Sequence, residues 1–401
     1  MENTDILISG AGIAGPVLAY WLRRNGFHPT VVERAPAPRP GGQNVDLRGA
    51  SRTVVERMGL MKRARALCVE QRGLGLVDRA GRLTARMPVE LFEGEGIVSE
   101  IEILRGDLAD LLYEATAADV EYLFDDTVTA IAEDADGVTV TFENAPPRRF
   151  ALVVGADGLH SVVRRLAFGP EEGHYRPLGG YQAWFTVKGD FGLDDWFLMY
   201  NAPGGLVASA RPGRLPGEVK ASLALRCAPL DLDRHDTTAQ RRLLAERFAG
   251  AGWQVDRLVA GMLNAEDFNF DSYGQIHLDR WSRGRVVLLG DAGYSPSPLT
   301  GLGTSLAVVG AYLLAGELAA ARGDHRTAFA RYEELMRPYV TRAQELPPGG
   351  MNGYAPNSAL MIRLRAASMR MMGRWPMRNI LAAQFAKAGD IDLPDYALAA
   401  A

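Results

Sequence analysis

Three short stretches concentrate the residues whose types and spacing can do chemistry. The first is Gly10-Ala11-Gly12-Ile13-Ala14-Gly15, between the apolar run Asp5 to Ser9 and a segment, Pro16 to Asn25, with helical apolar spacing. Glycine at the first position permits a tight turn, at the second lets a pyrophosphate approach the backbone, and at the third lets the helix pack close to the strand. The helix start adds free N–H groups and a partial positive charge. Glu33 ends the next β-branched run, Pro29 to Glu33, 18 residues beyond Gly15, where a carboxylate can accept hydrogen bonds from an unphosphorylated adenosine ribose. The second stretch, Asp157-Gly158-Leu159-His160-Ser161, follows the continuous apolar run Phe150 to Gly155. Alone it reads as an Asp-Gly turn capped into a helix. The third, Gly290-Asp291-Ala292-Gly293, also follows an apolar strand and leads through Pro298-Leu299-Thr300-Gly301-Leu302-Gly303 into a long apolar helix. Such a helix start can face an anionic ring edge, worth about 0.3 to 1 kcal/mol when exposed and up to about 2 when partly buried.

No competing constellation is present. The six histidines are scattered, with His160 and His277 expected on surfaces or in turns, and no Ser/His/Asp or metal-ligand pattern appears. No protein acid or base is therefore nominated.

The elements that must hold these stretches follow from pattern. The 401 residues suggest two or three domains or one large discontinuous unit. A hydrophobic share of 47% and a charged share of 23% exclude collagen-like, coiled-coil and wholly disordered chains. Lys plus Arg at 44 against Asp plus Glu at 48 argues against a nucleic-acid binder. Only Cys68 and Cys227 occur, without C-x-x-C spacing, which fits a reducing cytoplasm, and the N-terminus lacks the pattern of a signal peptide. Helices are expected over Ser51 to Val69, Arg105 to Ala118, Thr238 to Ala249 and Ser358 to Lys387, the last broken at Trp375-Pro376. Strands are expected at Leu74 to Asp78, around Ile97 to Ile103, and in a hairpin, Val128 to Glu133 and Gly137 to Phe142, turned by Asp136-Gly137. From Gly179 to Cys227 the chain becomes strand-rich and aromatic, as a second domain on an antiparallel or mixed sheet would. There Gln182 stands as a polar group in an apolar strand with Trp184 on the same face, a pair suited to a planar aromatic substrate. The stretch Leu302 to Ala321 contains Gly310, Gly316 and Glu317 and reads as a buried helix, so no membrane span is expected.

Taken together and in order, the glycine turn, Glu33-Arg34, Arg105, the Asp-Gly motif, the Gly-Asp motif and the Pro/Gly helix start resemble the single-component (class A) FAD-dependent aromatic monooxygenases. That is the family of para-hydroxybenzoate hydroxylase and, closer in length, of the tetracycline-inactivating monooxygenases. The resemblance implies an α/β fold: a Rossmann-like FAD-binding domain of parallel sheet and helices, a smaller sheet-based substrate domain, and a C-terminal bridging helix. The implied division is residues 1–72, 98–172 and 268–345 for the FAD domain, 73–97 and 173–267 for the substrate domain, and 346–401 for the C-terminal segment, with Met361 to Arg378 bridging. By the same resemblance Gly10, Gly12, Ala14 and Gly15 would hold the pyrophosphate and Glu33 and Arg34 the adenosine end. Asp46 would lie near the flavin ring, Arg105 on the ribityl or phosphate portion, and Asp291 on the ribityl chain. Asp157 would serve FAD and nicotinamide. Pro298 and the N–H groups of Gly301, Leu302 and Gly303 would face the flavin, with Leu299 and Thr300 beside the substrate. Tyr294 and Thr304 depart from the family pattern, which often has His and Asn or Ala there. NADPH or NADH would bind transiently, dioxygen would form a flavin 4a-hydroperoxide, and one oxygen atom would pass to an aromatic or polyketide-like molecule. A non-oxygenating flavoprotein of this fold, a prenyl-chain reductase or flavin oxidase, is the alternative.

Overall fold

The computed structural model describes residues 4–39, 41–92, 99–372 and 389–396. Its first sheet has the order β17 (Ser282–Arg283), β18 (Val286–Leu288), β11 (Leu152–Gly155), β1 (Asp5–Ser9), β2 (His28–Glu33) and β7 (Glu121–Phe124). All pairings are parallel except β17 with β18. Ile6, Leu7 and Ile8 are fully buried, because a parallel sheet is covered on both faces and its strands are apolar throughout. One cover is α9 (Gly303–Ala320), apolar all round and packed among α1 (Ala14–Arg24), α2 (Ala50–Arg57) and α10 (His325–Ala343). Among the described residues α9 is the single helix long and apolar enough to cross a membrane, and 78% of it is buried inside the protein.

The second sheet runs β16 (Asn269–Ile276), β12 (Tyr175–Lys188), β15 (Glu218–Leu225), β14 (Leu206–Pro212), β13 (Trp196–Ala202), β4 (Gly73–Val77) and β5 (Leu83–Pro88). It is antiparallel except where β13 meets β4. Its back face, with Phe185, Val187 and Leu223, is sealed by Leu244 of α6 (Thr237–Phe248) and Leu258 of α7 (Val255–Asn264). Its front face carries a separate cluster of Met199, Val207, Ala224 and Tyr273, met by Met351 of α11 (Gly350–Tyr354) and Met369 of α12 (Ala359–Met371). A small ribbon, β3 (Asn44–Asp46) with β6 (Glu102–Leu104), lies at the seam between the sheets. The expected hairpin is β8 (Val128–Glu133) and β9 (Val138–Phe142), joined by β10 (Arg148–Phe150); Asp134 Oδ1 accepts from the N–H groups of Asp136 and Gly137 in its turn.

Several expectations shift. The helix over Ser51 to Val69 is two, α2 and α3 (Met61–Ala66), because Gly59 takes φ +74° and Leu60 N–H closes back on Val55 O. The strand around Ile97 to Ile103 is confined to Glu102–Leu104 within the described residues. Arg105 to Ala118 is α4 (Arg105–Glu114), and α5 (Val162–Phe168) follows the Asp-Gly turn. The segment Asn269–Ile276, on the FAD side of the implied division, pairs with the free edge of β12 and completes the second sheet. Helices α7 and α10 lie outside those expected; α10 carries Pro338 in its interior, a residue that reads from sequence as a breaker. The helical tail is observed as α12, and Trp375-Pro376 lies outside the described residues. The last described segment returns to the first sheet's cover, where Tyr396 donates to Glu317 Oε1 at 2.6 Å and Tyr312 to Pro394 O at 2.7 Å, so the C-terminal region touches α9 as well as the second sheet.

Candidate functional site

The three motifs meet at the carboxyl ends of β1, β11 and β18, where open parallel sheets bind their ligands. Gly10 N–H donates to Val32 O at 2.7 Å, Ala156 N–H to Ser9 O at 2.8 Å and Leu289 N–H to Gly155 O at 2.9 Å, so each strand hands its chain to the next turn. A Cβ on Gly10, at φ +106°, would fall 2.5 Å from Ala156 O, and one on Gly15 only 2.0 Å from Gly10 O. Gly12 is different: a Cβ there meets nothing within 4 Å. The turn is thus closed by protein at Gly10 and Gly15 and open at Gly12. Helix α1 begins at Ala14 with no side-chain cap and no acidic residue in its first turn, which leaves N–H donors for an anion.

Around this turn, Glu33 Oε2 accepts from Ala11 N–H at 2.8 Å and Oε1 from Ala35 N–H at 3.0 Å, with Arg39 Nη2 at 3.8 Å. Arg34 is exposed beside it. Arg105 is half-buried at the start of α4, its N–H bonded to Gln43 O, and its guanidinium has no hydrogen-bond partner among the described residues. Burial, then the neighbouring Arg39, pull its pKa below the usual range, with Glu33 opposing. A charged donor deep in a seam and without an acceptor needs an anion, and a phosphate supplies one. The open turn, the uncapped helix and this guanidinium together fit an FAD pyrophosphate.

Asp157, expected to serve FAD and nicotinamide, shapes its own turn. Its carboxylate accepts from Ser161 Oγ at 2.5 Å, Val162 N–H at 2.8 Å and Val163 N–H at 3.1 Å, so it caps α5, and burial raises its pKa. The turn it shapes lies against Gly10. Arg164, almost wholly buried, then ties this motif to the third through Ala292 O at 2.9 Å. His160 sits in a turn as expected, but half-buried between Glu171 at 3.0 Å and Asp271 at 3.1 Å, and those two hydrogen bonds raise it to about 9.

Asp291 opens the short α8 (Asp291–Tyr294), is exposed to the seam, and is raised by desolvation; a Cβ on Gly303 would lie 3.7 Å from its Oδ1. Gly290 brings this turn against α1, its Cβ position 3.4 Å from that of Ala14. Pro298–Thr300 forms one 3-10 turn, and Gly301 at φ +68° swings the chain into α9, whose first turn has no side-chain cap and no acid. Pro298 and Gly301 are exposed, Thr300 is half-buried, and Leu302 is the N-cap residue. Tyr294 is buried below, its hydroxyl 2.7 Å from that of Tyr332.

The front face of the second sheet stands across from this helix start, and Leu299 packs into its apolar cluster. Strand register puts Gln182, Ala224 and Val207 in one row, Trp184, Ser222 and Ser209 in the next, and Thr186, Lys220, Arg211 and Phe197 in a third. Gln182 is buried and accepts a hydrogen bond from Tyr273 Oη; Trp184 is half-buried on the same face. Asp46, expected near the flavin ring, binds Arg48 at 2.8 Å through its carboxylate and stands opposite Glu102 in the β3–β6 ribbon. The sequence reading passed over Arg211, whose side chain binds Gln71 and Glu102 and stacks on Phe197 with 4.3 Å from its Cζ to the ring centroid. The alternation Val207, Ser209, Arg211 was the available signal.

A fold and a seam of this kind define an FAD-binding enzyme. The family model described as FAD binding domain matches residues 3–345. An uncharacterized protein of Mycobacterium tuberculosis is 47% identical over 88% of this chain and 94% of its own. A flavin-dependent monooxygenase of Legionella longbeachae is 38% identical over 86% of this chain and 88% of its own. The solved structure of tetracycline destructase Tet(55) superposes with a TM-score of 0.81 at 34% identity, over 98% of this chain and 99% of that one. The chain belongs to this FAD-binding family, and it is an FAD-dependent monooxygenase of the class its motifs resemble.

Proposed function

We propose that this monooxygenase hydroxylates a planar phenolic or polycyclic small molecule, lodged between the front face of the second sheet and the N-terminus of α9. The observation that carries the reading is the juxtaposition of an uncapped helix start at Gly303 with a sheet face that grades from the apolar cluster of Val207 and Ala224, through Trp184, Ser222 and Ser209, to the polar row of Thr186, Lys220 and Arg211. The likeness to tetracycline destructases, which extends over nearly the whole chain, supports a polycyclic substrate.

Gly10, Gly12 and Gly15, with the first turn of α1, hold the pyrophosphate of FAD; Arg105 neutralises it; Glu33 and Arg34 flank the adenosine; Asp291 receives the ribityl hydroxyls. Bound FAD supplies the redox chemistry, taking a hydride from NADPH or NADH and delivering one oxygen atom of dioxygen. The N–H groups of Gly301 to Gly303 present the positive end of α9 to the ring edge that gains negative charge on reduction. Leu299, Val207 and Met199 exclude water, while Trp184 and Gln182 fix the plane and orientation of the substrate. We place the enzyme in a reducing cytoplasm, in keeping with two unpaired cysteines. The division into a nucleotide unit and a substrate unit belongs to the same reading, with β16 assigned to the latter.

The test is to reduce the FAD-loaded protein without oxygen, then add isotopically labelled dioxygen and a panel of phenols and polycyclic polyketides. Product carrying one labelled oxygen atom is expected. Reoxidation with no label in any organic product overturns the proposal in favour of a non-oxygenating flavoprotein.

A further inference from the structure

Helix α12 is reversed in polarity at one position. Ala366 and Met369 pack on the front face of the second sheet, whereas Leu360, Met361 and Leu364 are exposed. Arg365 stands on the inward side, beside Ala366 and one turn before Met369. Its Nη1 donates to Asn201 Oδ1 and its Nη2 to Met199 Sδ at 3.3 Å. Both partners lie on β13 and are almost wholly buried. Asn201 is itself held, because its Nδ2 donates to Tyr354 O at 3.1 Å and so leaves Oδ1 for the guanidinium.

These partners are neutral, and a thioether is a weak acceptor. No carboxylate pairs with Arg365 among the described residues; the ionisable group that bears on it is the buried Tyr354 hydroxyl. Burial pulls the pKa of Arg365 below the usual range and Tyr354 opposes that, yet a guanidinium stays charged. Two of its five N–H groups are taken; Nε and one hydrogen on each Nη meet no acceptor among the described residues. A tie between a helix and a strand needs no charge, and a charge drawn from water without a counter-ion is costly.

We propose that Arg365 is a specificity-determining residue whose counter-ion is the substrate: the molecule this enzyme oxygenates carries an anionic oxygen group, a carboxylate or an ionised phenol or enol, that seats on the free edge of the guanidinium. The inference rests on the reading that this face receives the substrate. Asn201 shares a row with Val207, Ala224 and Gln182, and Met199 shares the next with Ser209, Ser222 and Trp184. Arg365 therefore stands at the β13 end of the two rows whose β12 ends carry Gln182 and Trp184. Three strand spacings, about 14 Å, separate those ends. A molecule of several fused rings spans that length, its plane held by Trp184 and its acidic group by Arg365. The planar fork of donors suits two oxygens side by side, which a lysine could not match.

The experiment uses the FAD-loaded protein and two probes of one shape, 2-naphthoate and 2-naphthamide, titrated by calorimetry at about pH 7.5, where the carboxylate is ionised. Wild type is expected to bind 2-naphthoate on the order of tenfold more tightly than 2-naphthamide. R365Q should bring the two within about twofold by weakening 2-naphthoate alone, and R365M, an unbranched chain on a Met-rich face, should do the same where the glutamine variant does not fold. R365K, which keeps the charge and loses the fork, should retain part of the preference. Equal affinity of the two probes in wild type, failure of 2-naphthoate to bind, or a preference that survives R365Q and R365M overturns the proposal. The two readings fail separately. An Arg365-dependent preference with no labelled oxygen in any product overturns hydroxylation and keeps the anion site; labelled product formed with equal kcat/KM from anionic and neutral members of the panel overturns the anion site and keeps hydroxylation.

Discussion

Gly12 and Gly15 are three residues apart in one motif, yet a methyl group has opposite consequences at the two. At Gly15 it lands 2.0 Å from Gly10 O and 3.3 Å from Ile8 Cγ2, the first a backbone atom that cannot yield without moving β1 away from α1. Gly15→Ala should cost about 3 kcal/mol in folding stability, with or without cofactor. At Gly12 the methyl meets no protein atom and the backbone is outside the left-handed region, so Gly12→Ala should change apo stability by less than about 0.5 kcal/mol. The methyl does occupy the space a pyrophosphate must enter, which we set at about a hundredfold loss in FAD affinity, or about 2.8 kcal/mol. Linkage makes the contrast measurable. With FAD at about 1,000 times its wild-type Kd, cofactor stabilises the wild type by about 4.1 kcal/mol but Gly12→Ala, at about ten times its own Kd, by only about 1.4 kcal/mol. Urea unfolding of the three proteins with and without FAD reads all of these values. A Gly12→Ala protein that gains as much from FAD as the wild type, or a Gly15→Ala protein of undiminished apo stability, refutes the assignment of the open and closed halves of this turn.

Other outcomes are specific. Arg105→Ala should weaken FAD at least about tenfold without lowering apo stability, because among the described residues the guanidinium has no hydrogen-bond partner to lose; flavin titration checks it. Asp157→Ala should cost about 1 kcal/mol through loss of the α5 cap, and restoring the cap with Asn should recover most of it; thermal unfolding decides. His160, raised from 6.5 to about 9, contributes stability that is complete below pH 6.5 and lost as pH climbs through 9, about 3 kcal/mol in all; a His160→Gln protein should lack that slope in urea unfolding between these limits. Gln182→Leu takes the amide acceptor away from the buried Tyr273 hydroxyl, leaving it only Tyr354, and should cost about 1 kcal/mol, which Tyr273→Phe in the same chain should largely return; the double mutant tests the pairing.

The nucleotide half was legible because each of its devices is local. A glycine turn, the strand before it and the helix after it occupy 20 consecutive residues from Asp5 to Arg24, and the physics of helix starts and close approach acts within that span. Asp157 is a second local device: the helix cap read from its own neighbours describes the hydrogen bonds its side chain makes. The edge strand β16 was misallotted for a different reason. It lies 81 residues beyond the end of β12, its pairing partner, and alternation tells which residues share a face but not which distant strand supplies the edge.

That same non-locality hid the polar end of the substrate face. Arg211, Glu102, Gln71 and Asp46 come from β14, β6, a connecting segment and β3, and no pair of them is closer than 25 residues in sequence. Each alone is an unremarked polar residue in a short strand. Assembled with Arg48, they put two guanidinium and two carboxyl groups into a site where Glu102 and Arg48 are buried, and where breaking an ion pair costs several kcal/mol. The cluster becomes visible only once β3 has paired with β6 and Arg211 of β14 has reached Glu102.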